Sequence, residues 1–388
     1  MNLLNHERIY LDYAATTPLD PVVLEKMNPY FNLQYGNPSS IHYFGQQAEA
    51  AVETSREKVA RILDCADSEV IFTSGGSESD NLALRGAALA ARQRRGANRI
   101  LISPVEHHAV SKTAEQLADL FGFKVEYLPV DQTGRVNPDQ VAARLGPDVA
   151  VVSVIYANNE IGTINPIAAI GEVCKAHGVP FHTDAVQAAA YLPVDIASLK
   201  ADLVSLGAHK FYGPKGVGAL FVRKGTPLLP AQTGGGQESG LRAGTHNVPY
   251  IVGFAEALEI AQEERQGRAQ RLSALRDQLA GKILEEIPES QLTGHPTLRL
   301  PNHASFVFKN VDGNALLMSL DIAGYACSSG SACKTGNPEP SEVLTAVGLS
   351  REWALGSLRV TLGVGTTPDH IRGLSQTLVS QVARMREG

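Results

Sequence analysis

Short apolar runs alternate with longer amphipathic stretches along most of the chain. Continuous runs rich in β-branched residues, such as 149–155, predict strands that are buried on both faces of a sheet. Stretches with apolar residues at helical spacing, such as 46–63, predict helices that cover the sheet. An apolar strand or extended arm, 9–17, precedes them. This alternation is typical of an α/β protein with an open, mainly parallel sheet.

The predicted strands are 70–73, 99–103, 124–129, 149–155, 179–183, 202–206, 217–222, 304–308 and 357–362. The predicted helices are 46–63, one that ends near 92, 109–120, 167–177, 252–287, 315–320 and 368–384. The strand at 217–222 is expected to run antiparallel. We interpret 252–287, with a break expected near Gly267, as the bridge between two domains. Residues 16–260 then form a large domain, and 1–15 with 261–388 form a smaller α/β domain.

Polar side chains that carry chemistry stand at the ends of five predicted strands. Ser77, His107, Asn159, Asp184 and Lys210 each follow a strand along the chain. Ligands of open α/β sheets bind beyond the carboxyl ends of the strands. We therefore expect these five side chains to meet in one site.

The stretch 204–216 delivers a lysine to the end of a buried strand. Its apolar run ends in His209 and Lys210 and then breaks into a turn rich in glycine and proline. A buried lysine is costly unless it is paired or used, and a desolvated lysine loses its proton and becomes nucleophilic. A Schiff base with an aldehyde cofactor is one such use. The alternative is a surface lysine beside a turn, where charged side chains are commonly found.

A second motif, Ser74-Gly75-Gly76-Ser77, links the strand 70–73 to a helix. Free amides at a helix N-terminus and the helix dipole bind anions, so this layout is typical of a phosphate site. An ordinary capped turn with Ser77 as the N-cap fits the same residues. The sequence leaves both interpretations open.

Composition narrows the function classes. The chain has 388 residues, 44% hydrophobic and 19% charged, which is typical of a soluble globular protein, and its net charge of -6 predicts no binding to nucleic acid or an anionic membrane. We expect no signal peptide and no membrane span. The four cysteines include no Cys-x-x-Cys pair, and His-Glu-x-x-His and complete nucleotide motifs are missing, so we expect no metal or nucleotide site. The expected compartment is the cytoplasm, where thiols stay reduced.

Taken in order, the motifs resemble those of the NifS/IscS-type cysteine desulfurases, which depend on pyridoxal 5'-phosphate and are related to the class V aminotransferases. The motifs of the match are 11–18, 36–40, 77–81, 106–107, 158–162, 184–187, 209–210, 213–216, 242–245 and 328–333. Each one is weak alone, but the ordered set is specific and covers almost the whole chain. The resemblance implies a fold-type-I homodimer whose active site lies at the dimer interface.

The resemblance also implies a role for each candidate residue. Lys210 takes the aldehyde of the cofactor, Asp184 pairs with the pyridine nitrogen, and His107 stacks on the ring and assists proton transfer. The other implied cofactor contacts come from Gly76, Ser77, Asn159, Gln187, His209 and, reaching in from the other subunit, Thr245.

The same resemblance implies the reaction. L-cysteine is converted to L-alanine, with Asn159 and Arg359 binding the substrate and Cys333 taking the sulfur as a persulfide. The sulfur then passes to an acceptor or scaffold protein for iron–sulfur cluster assembly or tRNA thiolation. The alternative for Cys333 is a small residue in a turn, although a free cysteine is usually buried and this loop is polar.

The chain departs from the family pattern at three positions. Gly207 stands where many relatives have Ser or Thr on the phosphate, and Ser239 stands where the glycine-rich loop often has Arg. Cys327 stands where relatives often have Ala, and it either packs, accepts sulfur or forms a disulfide with Cys333, with packing favoured. Two other functions stay open. One is a selenocysteine lyase, and the other is a scaffold or sulfur-carrier partner with a degenerate site, which the intact set of cofactor residues disfavours.

Overall fold

The computed structural model describes residues 8–330 and 339–387. The strands in these ranges are β1 (Ile9–Tyr10), β2 (Val70–Thr73), β3 (Arg99–Ile102), β4 (Lys124–Tyr127), β5 (Val149–Ser153), β6 (Phe181–Asp184), β7 (Leu203–Gly207), β8 (Gly218–Val222), β9 (Ser290–Leu292), β10 (His303–Phe308), β11 (Tyr325–Ala326) and β12 (Ser357–Thr361). The α-helices are α1 (Pro21–Met27), α2 (Pro29–Asn32), α3 (Tyr43–Leu63), α4 (Gly76–Arg95), α5 (His108–Phe121), α6 (Pro138–Ala142), α7 (Ile167–Ala176), α8 (Ile196–Leu199), α9 (Val248–Glu263), α10 (Arg265–Glu286), α11 (Gly313–Ile322), α12 (Glu342–Ala346), α13 (Arg351–Leu355) and α14 (Pro368–Glu387).

Seven strands form the central sheet in the order β2-β8-β7-β6-β5-β3-β4. All run in one direction except β8, which is antiparallel to both of its neighbours. The predicted mainly parallel sheet with an antiparallel strand at 217–222 is therefore confirmed. Parallel strands bring their carboxyl ends to one edge, so the turns that follow β2, β3, β5, β6 and β7 lie along the same edge.

The side chains of the central sheet alternate between two apolar layers. Ile100 and Ile102 of β3 belong to the layer built with α4 and α5, whereas Leu101 belongs to the layer built with α3, α7 and α9. Burial of both faces explains why these strands are continuous apolar runs in the sequence rather than alternating ones.

A second, smaller sheet is antiparallel and has the order β9-β10-β12. Helices α10 and α11 pack against it, and α14 packs against these two helices. Strand β1 pairs with β11, so the N-terminal arm joins the C-terminal part of the chain. The α/β class with a large, mainly parallel part and a smaller α/β part is confirmed, while the domain boundaries at 16–260 and 261–388 stay predictions.

The N-terminal caps of α3 and α4 explain where these two helices begin. Helix α3 begins earlier, at Tyr43, because His42 caps it by accepting from the amide of Gly45 at 3.3 Å. Helix α4 begins at Gly76 with Gly75 as its N-cap. The interpretation of Ser77 as the N-cap of an ordinary turn is therefore wrong.

The predicted long helix 252–287 is two helices that part at Glu264 and not at Gly267. The amide of Glu264 still donates to Ile260, and its carbonyl accepts from Arg268, so the interruption is a single residue and needs no glycine. Helices α6, α8, α12 and α13 were not predicted, because four or five residues are too few to show a helical period. No described helix combines the length and apolar character that crossing a bilayer requires.

Candidate active site

A cavity of about 670 Å³ opens at the carboxyl edge of the central sheet. The predicted site residues that line it are Gly76, Ser77, His107, Asn159, Asp184, Gln187, His209, Lys210 and Arg359. Thr245 lies elsewhere, on an exposed loop, and Cys333 lies outside the described residues. The five polar residues that follow strands of the central sheet thus share one cavity, as their positions predict.

Strand β7 ends at Gly207, and a single helical turn carries Lys210 into the cavity. Its Nζ atom donates to the carbonyl oxygens of Ala14 and Ala15 at 2.6 and 2.7 Å. Burial, followed by the charge of Arg359, lowers the pKa of Lys210 to about 8. Part of the amine is therefore unprotonated near neutral pH, as attack on an aldehyde requires. A surface lysine beside a turn does not fit this position.

Asp184 is the last residue of β6 and is buried. Its Oδ1 atom accepts from the amide of Val186 at 2.8 Å. Burial, followed by the carboxyl group of Asp80, raises the pKa of Asp184, because a second negative charge in a dry site is costly. A cationic group that enters the cavity, such as a protonated ring nitrogen, favours the ionised carboxylate.

His107 caps the start of α5, and its Nδ1 atom accepts from the amide of Ala109 at 3.1 Å. That contact leaves the ring proton on Nε2 when the imidazole is neutral. Burial lowers the pKa of His107, and Asp184 opposes the shift. A ring nitrogen of His107 and carboxyl oxygens of Asp184 and Asp80 all lie within 4.8 Å of one another. His107 therefore offers a neutral ring beside the buried carboxyl group.

The turn after β2 is built from backbone. Gly75, the N-cap of α4, offers no side chain to the first amides of the helix, and Gly76 and Ser77 line the cavity. A Cβ atom on Gly76 would lie 2.6 Å from Cγ2 of Val186, so only glycine fits there. His209 lines the same cavity and is neutral, because burial, helped by nearby positive groups, lowers its pKa to about 4. Free amides beside neutral donors favour the phosphate interpretation.

Arg359 lies on β12 with only 9% of its side chain exposed. Its Nη2 atom donates to Oδ1 of Asp12 at 2.9 Å, and its Nη1 atom donates to the carbonyl oxygen of Asn159 at 3.0 Å. The Nε atom is buried without a hydrogen-bond partner among the described residues. The guanidinium is thus held at the cavity with donors to spare, which suits a carboxylate ligand.

The arm that follows β1 contributes contacts that sequence reasoning did not assign. Ala14 and Ala15 accept from Lys210, Ala14 also accepts from Nε2 of Gln187 at 2.8 Å, and Asp12 holds Arg359. The motif 11–18 was part of the family resemblance, which was the one signal of a role for this arm. Apart from the carboxylate of Asp12, its contacts are made by the backbone carbonyls of Ala14 and Ala15, and residue types do not reveal those.

The segment that contains Cys333 is flanked by residues that meet beside the cavity. The hydroxyl of Ser341 donates to the carboxylate of Glu160, and a Cβ atom on Gly330 would lie 2.5 Å from the same carboxylate. Glu160 follows Asn159, a cavity residue. Both flanks of 331–338 therefore approach Glu160, the sequence neighbour of a cavity residue.

Cys327 packs against the apolar core. It is free in the described structure, and burial raises the pKa of its thiol, so the reactive thiolate is disfavoured. These contacts agree with the packing role that the sequence favoured.

Pyridoxal 5'-phosphate, the cofactor that the resemblance implies, suits the donors of the cavity. The turn at Gly76 offers amides to a phosphate at the start of α4. Asp184 offers a buried carboxyl group to a ring nitrogen, and Lys210 offers an amine of lowered pKa to an aldehyde. The residues present therefore fit this cofactor.

Comparison with known proteins agrees with the geometry. The family model "Aminotransferase class-V" matches residues 9–374. A protein named "Cysteine desulfurase IscS" from Dictyoglomus turgidum is 44% identical over 378 residues, which are 97% of this chain and 95% of the relative. A protein of the same name from Methanosarcina thermophila is 44% identical over 381 residues, covering 98% of this chain and 93% of the relative.

Solved structures share the fold. A structure titled "NIFS-LIKE PROTEIN" superposes with a TM-score of 0.90 at 36% identity and covers 97% of this chain and 100% of its own. Another, titled "SspA in complex with cysteine", has a TM-score of 0.79 at 35% identity and covers 91% of this chain and 98% of its own.

Proposed function

The chain belongs to the class-V aminotransferase family, and we propose that it is a cysteine desulfurase that converts L-cysteine to L-alanine and transfers the sulfur to Cys333. The observation that carries this proposal is the meeting of Lys210, Asp184 and the turn at Gly76 in one cavity. The family and the relatives named cysteine desulfurase support the reaction. The enzyme depends on pyridoxal 5'-phosphate.

Each end of the cavity would hold one part of the cofactor. The amides of Gly76 and Ser77, with His209, would bind the phosphate, and Asp184 would pair with the ring nitrogen. When bound, pyridoxal phosphate draws electrons away from the α-carbon of an amino acid, which makes the carbon–sulfur bond of cysteine easier to break. Gln187 would bind the oxygen of the ring.

Lys210 and His107 would move protons. The lowered pKa of Lys210 lets this amine both release and take up a proton near neutral pH. The neutral His107 ring beside Asp184 offers an Nε2 proton on one side of the cavity. Arg359, with Asn159, would orient the substrate by binding its carboxylate.

We assign the nucleophilic sulfur to Cys333 because the flanks of its segment meet at Glu160, next to the cavity. Ser341 and Gly330 both approach Glu160, next to the cavity residue Asn159. A thiolate attacking the sulfur of cysteine would form a persulfide, with L-alanine as the other product. The sulfur would then pass to an acceptor or scaffold protein for iron–sulfur cluster assembly or tRNA thiolation. The free thiols of the described cysteines agree with a reducing, cytoplasmic location.

We place the partner of a homodimer on an exposed apolar patch formed by Phe31, Tyr35, Ile41, Tyr43 and Phe44. Ile41 is 93% exposed and Tyr43 is 67% exposed, and the ring of Phe44 contacts both tyrosines. Contiguous large apolar side chains in water mark an interface. Sedimentation that finds only monomers at micromolar concentration would contradict this assignment.

The patch adjoins the loop that carries Thr245. Pro38 and Ser39, within the patch segment, line the same groove as Glu238 and His246 of that loop. A subunit seated on the patch therefore contacts the loop, which supports the sharing of Thr245 between subunits.

The test is intact-protein mass spectrometry after addition of L-cysteine, with L-alanine assayed in the same sample. We expect one added sulfur that maps to Cys333 and a matching amount of alanine. Cys333→Ala should abolish sulfur transfer to acceptor proteins, and Cys327→Ala is the matched control that should retain it. Alanine without a persulfide on Cys333 would contradict the assignment of Cys333 as the nucleophile and point to a lyase-like route or to Cys327. No alanine from protein that carries the cofactor would reject the desulfurase.

A further inference from the structure

Glu238 is a buried acid that the proposed reaction does not use. It lies on the loop 232–246 between β8 and α9, and 1% of its side chain is exposed. Its carboxylate accepts from both Nη atoms of Arg56 at 2.9 and 2.8 Å and from the amide of Phe72 at 2.9 Å, and Nε2 of His246 lies 2.7 Å away. Burial alone would raise the pKa of Glu238, but these contacts lower it to about 2.

Arg242 anchors the same loop on the other side of the phosphate-binding turn. Its Nε atom donates to Glu78 at 2.9 Å, and Glu78 also accepts from the amide of Ser74. Phe72 comes just before the turn at 74–77, and Glu78 comes just after it. The two ion pairs of the loop therefore bracket the turn.

The backbone of the loop requires these contacts. Glu238 has φ 48° and Ser239 has φ 55°, a left-handed conformation that residues with a side chain disfavour. Such a conformation persists only where surrounding contacts hold it. Thr245 stands between Arg242 and His246, so both neighbouring anchors restrict where it points.

We propose that the loop 232–246 is a clamp that couples the two active sites of the dimer. Glu238 and Arg242 are positioning residues: they hold the phosphate-binding turn of their own subunit and aim Thr245 at the cofactor of the partner subunit. The proposal rests on the shared site described above. Loss of either ion pair therefore weakens cofactor binding in both sites.

The experiment uses full-length heterodimers in which one subunit carries Lys210→Ala, so that borohydride fixes pyridoxal phosphate only on the other, competent subunit. Mass spectrometry of the fixed subunit against cofactor concentration gives its dissociation constant. Glu238→Gln is placed in the competent subunit or in its partner. We expect about a tenfold rise of the dissociation constant in the first arrangement and about a threefold rise in the second.

Three further variants keep the result interpretable. Thr245→Ala is placed in either subunit in the same way; it should raise the dissociation constant about threefold from the partner and leave it unchanged from the competent subunit. Arg242→Gln, in a pair whose side chains are partly exposed, replaces Glu238→Gln if that variant folds poorly. Glu256→Gln is the matched control, because it removes a partner of Lys58 in a pair that joins α9 to α3 and not to the turn. It should leave the dissociation constant unchanged in both arrangements.

The outcomes separate the clamp from the shared site. Unchanged constants with Glu238→Gln and Arg242→Gln in both arrangements overturn the clamp. The coupling is overturned if Glu238→Gln raises the dissociation constant only when it is placed in the competent subunit, while Thr245→Ala does raise it from the partner. If Thr245→Ala acts only from within the competent subunit, the shared site of the proposed function fails, and the coupling fails with it.

Discussion

The two ends of the cavity hold charge in different ways. The backbone end, the turn 75–77 with Gly207 beside it, offers amides at the start of α4 and no charged side chain of its own. The side-chain end depends on Asp184, Lys210 and Arg359, three ionisable groups that lie in or beside the dry interior. At the backbone end the amides of Gly76 and Ser77 would bind the anion together, whereas each charged group at the side-chain end would bind its own part of the ligand. We therefore expect the loss or gain of one polar group to be costly at the side-chain end and mild at the backbone end, with Gly76 excepted because only glycine fits there.

Asp184→Asn should cause the largest loss of activity among substitutions at the side-chain end. The amide keeps the shape of the carboxylate but cannot balance a protonated ring nitrogen, so the electron withdrawal on which the reaction depends is lost. We expect desulfurase kcat to fall on the order of 10³-fold, measured as alanine release at saturating cofactor.

Asp80→Asn is the matched control for that variant. It removes the neighbouring carboxyl group that helps to raise the pKa of Asp184, so the ionised form of Asp184 is favoured or unchanged. We expect its kcat to stay within about threefold of the parent protein. Equal losses in the two variants would show that the cavity needs both carboxyl groups and not one charge.

Arg359→Lys should impair substrate binding at the side-chain end, with a smaller effect on activity than Asp184→Asn. Lysine keeps the charge but loses the planar fork, so it cannot hold Asp12, Asn159 and a substrate carboxylate together. We expect kcat/KM for L-cysteine to fall roughly 10- to 100-fold, mostly through KM. Asp12→Asn keeps the arginine and should cost less. A KM that does not move in Arg359→Lys would place the substrate carboxylate elsewhere.

The pH dependence of cofactor attachment sharpens the same comparison. Only the unprotonated Lys210 amine attacks an aldehyde, and burial with the charge of Arg359 sets its pKa to about 8. Attachment of pyridoxal phosphate to apo-protein should therefore slow about tenfold per pH unit below 8 and level off above it. Arg359→Gln removes one cause of the lowered pKa of Lys210. The pH at which the rate levels off should therefore be higher in this variant. Stopped-flow absorbance measures the rate of attachment against pH for both proteins. If the rate levels off at the same pH in both, Arg359 does not lower the pKa of Lys210.

The side-chain end was also the part that sequence could predict. Asp184 and Lys210 each follow an apolar run that ends at a turn, and strand direction alone brings such residues to one edge of the sheet. Arg359 came from the family resemblance, and its partner Asp12 was not predicted, because the bridge from Asp12 to Thr361 on β12 joins residues from opposite ends of the chain. No local pattern encodes such a pairing.

Backbone contacts account for most of what the sequence could not show. The carbonyl groups of Ala14 and Ala15 hold Lys210, yet every residue type carries a carbonyl. The helix break at Glu264 could not be predicted from a glycine or proline at that position. None is needed there, because the helical hydrogen bonds continue on both sides of Glu264. Glu238 lies in a glycine-rich loop that the sequence did mark, but its contacts with Arg56 and Phe72 come from distant segments that only the fold brings together.

Gly207→Ser tests the backbone end and should have the smallest effect. A Cβ atom at 207 would lie 3.3 Å from the amide nitrogen of Gly76 and 3.3 Å from Cγ1 of Val186, so a serine fits after shifts of a few tenths of an ångström. Its hydroxyl would then stand at the phosphate-binding turn and add one hydrogen bond to the anion. One such bond contributes about 0.5–1.5 kcal/mol, so the dissociation constant of pyridoxal phosphate should fall roughly two- to tenfold in fluorescence titrations of apo-protein. Gly207→Ala adds the same Cβ atom without the hydroxyl and should bind no more tightly than the parent protein. If both variants bind more weakly, glycine is required at 207 for space, and the backbone end is less tolerant than its contacts indicate.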